Sequence, residues 1–346
     1  MGSSGTEEVQ TAGFVDLRSD TVTKPTPVMR RAMLDAEVGD DGYGEDPTVR
    51  ALEEAFAERV GKDDAVFVPS GTMANQIALR LLGRPGTRVV AGRRQHVVVY
   101  EAGAAGLNSA TQFHLVPDDD GLVPPDLVRL AVSEADHHQP AVSSVFIENT
   151  HMPSGGVPWP LDTLVDLGAL GIPIHLDGAR LFNAEIATEV KAAEYAAHAT
   201  TVMCCLSKGL AAPVGSVLAG SRELIAAARI ERKRLGGAMR QAGVIAAAGL
   251  VALHDMVARL GDDHRRARRL ADAVAERWPN SGLDPARVLT NVVVFRHPDP
   301  PALLHHLRGD GVLAGSISPG VVRLMTHLEV NDEGVERAVR SLGGAP

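Results

Sequence analysis

Short apolar, β-branched runs alternate along this chain with longer Ala- and Leu-rich stretches of helical spacing. AVFVP (65–69), TRVVAG (87–92), SVFIENT (144–150), PIHLDGA (173–179), TVMCCLS (201–207) and SVLAGS (216–221) predict buried strands. The segments 47–60, 72–82, 124–135, 160–170 and 222–235 predict helices between them. Strand, helix, strand in sequence implies crossover connections, hence an α/β fold with a largely parallel sheet covered on both faces. A second pattern follows. Residues 237–278 read as helical, 291–297 as a strand, LLHHLRGDG as a short helix and 321–328 as another strand. This predicts a large domain over 14–250 and a smaller α/β domain over 251–346, with 1–13 a loose tail.

Length and composition fit that picture. The 346 residues allow two domains, and 45% hydrophobic with 22% charged residues is ordinary for a globular protein. The formal charge of -9 argues against general binding to nucleic acid or anionic membrane. No apolar run reaches the roughly 18–20 residues of a membrane span, and the first residues do not read as a signal peptide. Cys204 and Cys205, adjacent in sequence, make a poor structural disulfide and suit a reducing cytoplasm. The pairs His137-His138 and His305-His306 lack metal-ligand spacing, so no metal is expected.

Three strand ends carry candidate chemistry. Lys208 in LSKGL follows an apolar strand; lost hydration there favours the free amine, which can attack a carbonyl. The plain alternative is a lysine reaching solvent. Asp177 in HLDGAR ends another strand, where a buried carboxylate needs a cation such as a pyridinium nitrogen, or else Arg180 or a helix cap. PSGTMANQ (69–76) leads from a strand into a helix. Ser70, Gly71 and Thr72 there suit a phosphate at the helix N-terminus, or a simple N-cap. Together they suggest a pyridoxal phosphate site.

The chain also resembles a known family. DLRSDTVTKPT (16–26), GDDGYGEDPTV (39–49), ENTH (148–151), HLDGARLFNA (175–184), CLSKGLAAPVGS (205–216), GGAMRQAG (236–243) and VRLMTHL (322–328) are similar to segments of the low-specificity L-threonine aldolases, over roughly residues 14–330. These are fold-type-I pyridoxal phosphate enzymes among the β-eliminating lyases. The resemblance implies a mainly parallel seven-stranded sheet and cleavage of threonine and related β-hydroxy-α-amino acids to glycine and an aldehyde.

It implies roles residue by residue. Lys208 would bind the cofactor covalently, with Ser207 beside it. Asp177 would face the pyridine nitrogen and His96 would stack on the ring. Ser70, Gly71 and Thr72 would hold the phosphate. Arg180 and Arg323 would bind the substrate carboxylate, helped by Ser19; a guanidinium fork matches a carboxylate. Tyr43 and Tyr100 would lie near the substrate. Lys233 and Arg240 would reach a neighbouring subunit's phosphate, implying shared active sites and a homotetramer built from dimers. The base for the β-hydroxyl would be His151 or His96, since imidazole titrates near neutrality. Glu101 stands near enough in sequence to assist. Val97, Met152 and the AGAAGLN loop depart modestly from the family pattern, around the β-substituent. They leave two other activities open: a transaldolase, or a β-eliminating lyase or racemase.

Overall fold

The computed structural model describes residues 13–346, so the tail expected over 1–13 lies almost wholly outside the described residues. The chain forms twelve strands among those residues. Eight are β1 (Val15–Asp16), β2 (Asp64–Val68), β3 (Arg88–Gly92), β4 (Gln112–Val116), β5 (Val142–Glu148), β6 (Ile174–Asp177), β7 (Thr201–Cys205) and β8 (Ser216–Gly220). Four follow: β9 (Val292–Arg296), β10 (Val312–Leu313), β11 (Gly315–Ser318) and β12 (Val321–Met325).

Seven strands form the central sheet in the order β2-β8-β7-β6-β5-β3-β4. β8 runs antiparallel to both neighbours and the remaining pairs are parallel. Its two faces can be read from single strands. On β2, Ala65 and Phe67 enter one apolar cluster while Val66 and Val68 enter another. On β5, Val145 and Ile147 point to the first face and Phe146 to the opposite one. A period-2 strand apolar on both sides must be covered on both sides.

β4 was not expected. Its QFHLV sequence mixes polar and apolar residues because it is an edge strand, partly open to solvent. Residues 237–278 are not one helical stretch. The segment 235–242 is mostly turn, with Gly236 in the left-handed region at φ +79°, and two helices follow, Gly243–Asp255 and Leu260–Arg277, bent by 72°. Met256, Val257 and Leu260 are all buried in the main cluster, which turns the chain at that point. No single described helix is long and apolar enough to cross a membrane.

A smaller unit holds the antiparallel sheet β11-β12-β9 and its own apolar cluster. Two features cross the boundary expected at residue 250. Leu260 packs in the main cluster while Leu270 and Val274 of the same helix pack in the second. β1 pairs in parallel with β10, and Leu17 packs in the second cluster. The Arg-rich run 265–269 pairs on an exposed helix face with Asp262, Asp272, Asp332 and Glu336. Such solvated pairs contribute about 0–1 kcal/mol each.

Candidate active site

The parallel strands deliver their carboxyl ends to one edge of the sheet, where open α/β sheets place their ligands. His96 follows β3, Glu148 ends β5, Asp177 ends β6 and Lys208 follows β7. Because β2 is antiparallel to β8, and Val68 and Cys205 both pair with Ser216, Ser70 and Gly71 emerge at the same edge.

Asp177 is buried. One carboxylate oxygen accepts from the Asn75 amide at 2.8 Å and the other from the Ala179 backbone N–H at 3.0 Å. Burial alone would raise its pKa. His96 and Lys208 outweigh that, with the Asn75 hydrogen bond, and hold the carboxyl below its usual range. Lys208 is half-buried, and its Nζ makes no hydrogen bond or ion pair among the described residues. Its backbone is fixed instead: the carbonyl accepts from Thr23 Oγ1 and the Ala211 N–H, both at 2.8 Å.

Ser70 caps the helix Gly71–Leu82, accepting from the Met73 N–H at 3.2 Å. The amides of Gly71 and Thr72 have no protein acceptor among the described residues, so this end keeps free donors for an anion. Gly71 has a further reason to be glycine. A Cβ there would stand 2.7 Å from Cys205 Sγ and 2.8 Å from Met203 Cε, so only glycine lets the helix lie this close to β7.

The two arginines differ. Arg180 is engaged: its Nε and Nη2 each donate to Asp20 at 2.7 Å, and Asn291 donates to the same carboxylate. Arg323 donates from Nη2 to the Arg18 carbonyl at 2.6 Å and points Nη1 at Met152 Sδ, while its buried Nε has no partner. Burial and then Arg180 draw its pKa down. Asp20 is committed to Arg180, while Arg323 carries no carboxylate among the described residues, which leaves a positive site suited to another anion. Ser19 Oγ accepts from Thr21 and begins the turn that carries Asp20.

Asp20 was missed in the sequence, although it sits beside Ser19 in the quoted motif. Burial would raise its pKa, but Arg180 and Lys208 bring it from 3.8 to about 2. A folded-state value below the unfolded one gives stability that is complete above 3.8 and lost as pH falls toward 2. In chemical unfolding, Asp20→Asn is expected to show about 2 kcal/mol less pH dependence over that window than the unsubstituted protein.

The histidines also differ. His96 Nδ1 lies 2.9 Å from Glu101 Oε1, its backbone N–H donates to Glu148 at 2.8 Å, and its ring centroid is 5.6 Å from that of Tyr100. Burial would lower its pKa; Glu101 and Asp177 prevail and raise it. His151 is fully buried, with Nε2 3.2 Å from Asp118 Oδ2 and Nδ1 3.1 Å from Ser154 Oγ. The geometry therefore brings His96, Asp177, Lys208, Arg180 and Arg323 together and turns His151 away toward Asp118. Tyr43, Lys233 and Arg240 lie on the surface, with Tyr43 80% exposed and Arg240 3.5 Å from Asp40. Ser207 is half-buried beside Lys208. Tyr100 also borders a cleft of about 640 Å³ lined by Val99, Pro153, Val294 and Val321.

The family model described as beta-eliminating lyase matches residues 16–297. The chain belongs to that family. Among its lyase relatives, the probable low-specificity L-threonine aldolase 2 of Arabidopsis thaliana is 41% identical over 337 residues, covering 93% of this chain and 94% of the relative. The low specificity L-threonine aldolase of Escherichia coli strain K12 is 40% identical, covering 92% and 96%. The solved threonine aldolase of Leishmania major shares the fold with a TM-score of 0.82 at 22% identity, covering 95% of this chain and 98% of that one. The lyase fold is thus the mainly parallel α/β arrangement expected from the strand pattern.

Proposed function

We propose that this lyase is a pyridoxal phosphate-dependent aldolase that cleaves L-threonine and related β-hydroxy-α-amino acids to glycine and an aldehyde. One observation carries the reading: Asp177, Lys208 and an arginine with an unpartnered buried nitrogen meet at one sheet edge in a chain about 40% identical to named threonine aldolases.

The residues fit the cofactor. Asp177 is a buried carboxylate facing a lysine with no competing partner, and the helix at Gly71 keeps free amides for a phosphate. Lys208 would hold the cofactor and Asp177 would keep a proton on its pyridine nitrogen. Bound there, the cofactor supplies an electron sink for the pair released when the Cα–Cβ bond breaks. Arg323, with Arg180 and Ser19, binds the substrate carboxylate and so sets which Cα bond is aligned. His96 Nε2 takes the proton from the β-hydroxyl, and its Nδ1–H stays on Glu101. His151 has both ring nitrogens against Asp118 and Ser154, which favours His96 among the two candidate bases.

Exposed Lys233 and Arg240 would reach a neighbouring subunit's phosphate in a homotetramer of cytoplasmic location; light scattering on the purified protein tests the assembly. Acetaldehyde release from L-threonine, with the visible absorbance of bound cofactor, tests the activity; a colourless protein that cannot be reconstituted overturns it. Product analysis with a second aldehyde separates a transaldolase, and pyruvate formation an eliminating lyase. Arg323→Ala is expected to raise KM for threonine about 10- to 100-fold, the loss of a charged hydrogen-bonding partner.

A further inference from the structure

We propose that Asn75 and Glu101 are positioning residues that fix the proton of His96 on Nδ1 and tie this imidazole to the Asp177 carboxylate. The inference rests on the reading of His96 and Asp177 above. Neither Asn75 nor Glu101 needs to touch substrate or cofactor for it to hold.

The argument is one of donors and acceptors. The Asn75 amide nitrogen lies 2.8 Å from Asp177 Oδ2 and 2.8 Å from Glu101 Oε1. Ionised carboxylates only accept, so both amide hydrogens are committed, one to each. The amide oxygen must then accept, and it lies 3.0 Å from His175 Nε2. That places the His175 proton on Nε2 and leaves Nδ1 to accept from Thr201 Oγ1 at 2.9 Å. Burial lowers the His175 pKa to about 4, which keeps this ring neutral. On the other side Glu101 also accepts from Gln76 Nε2 at 2.6 Å, and Gln76 Oε1 in turn accepts from Asn108. Its remaining neighbour is His96 Nδ1, which must donate. His96 Nε2 is thus left without a partner among the described residues, whichever way the ring is charged.

The network is buried throughout: Asn75, Gln76, Glu101, His175 and Asp177 are each at most 6% exposed. A half-satisfied network of this kind is costly in a low-dielectric site, so its orientation is fixed rather than averaged. The charged or titratable groups facing His96 are Glu101, Asp177, Lys208, Tyr100 and Glu148, the last through the backbone N–H. Glu101 is the one held to its ring nitrogen, and Asn75 shares that carboxylate with Asp177.

Two substitutions should move His96 in opposite directions. Glu101→Gln removes the negative charge, so the imidazole should titrate about one unit lower. Asn75→Ala leaves Glu101 with one donor fewer, so Glu101 should hold the imidazolium more strongly and His96 should titrate about half a unit higher. The readout is the NMR titration of the His96 ring in cofactor-loaded protein, assigned among the 13 histidines by its absence in His96→Asn. The acidic limb of kcat/KM should follow with the same signs. A merely structural role predicts lower yield or activity with no displacement of either titration. Unmoved titration in both variants overturns the proposal, and movement in Glu101→Gln alone overturns the part assigned to Asn75. The NMR titration needs no turnover, so failure of the aldolase reading, seen as wild-type protein that releases no acetaldehyde, is distinguishable.

Discussion

Lys208→Ala is expected to lower glycine and aldehyde formation about ten-thousand-fold, the upper range for loss of a positioned proton-transfer group, and to abolish the visible absorbance of covalently held cofactor. The position explains the size. The Lys208 amine makes no hydrogen bond among the described residues and acts on the Asp177 and Asp20 carboxylates only through its charge, while its carbonyl is gripped by Thr23 and Ala211, so the backbone is fixed and the amine left free. Among the described residues, Lys208 is the lysine whose charge acts most on Asp177, beside His96 and His175. A stability measurement at the same pH separates chemistry from folding, since Lys208 also helps to hold the buried Asp177 and Asp20 carboxylates ionised. A variant that keeps substantial activity and colour would show that another amine holds the cofactor.

His96→Asn should lower kcat about 10²- to 10⁴-fold, the range for losing a general base. His151→Asn should lower it far less and act chiefly on stability, because His151 is fully buried beside Asp118 and Ser154. Parallel kcat and unfolding measurements on the two variants check this. A His151 variant with intact stability and the larger loss of kcat would reverse the assignment. The sign of the pH response adds a second check. The His96 pKa is raised, so the neutral base is fully available only above the usual imidazole range, and the acidic limb should disappear with the ring.

The strands of the sheet interior were legible because their residues are apolar on both faces. β5, β6, β7 and β8 are continuous buried runs with no competing helical period. β4 was not, since an edge strand carrying Gln112 and His114 keeps no such run. Lys208, Asp177 and Gly71 were legible as strand-end residues in family-like motifs. Asn75 and Glu101 were not legible as partners. They come from a helix and a turn 26 positions apart, and only the fold joins them, Asn75 bridging Glu101 to Asp177. His151 shows the reverse limit. Its motif marks it plainly, but no local pattern reveals that Asp118, from the segment after β4, meets its Nε2 at 3.2 Å.

The parallel pairing of β1 with β10 has a consequence for how the molecule is made. Val15 and Asp16 leave the ribosome well before Val312 and Leu313, the residues they pair with. Pairings between segments so distant in sequence are slow to close. The central sheet, whose neighbours are nearer in sequence, can assemble Asp177 and Lys208 earlier. Arg18 meets Arg323 only after β1 has docked onto the last strands. The cofactor-facing half of the site therefore matures before the carboxylate-binding half. A nascent chain stalled before Val312 would carry the first without the second.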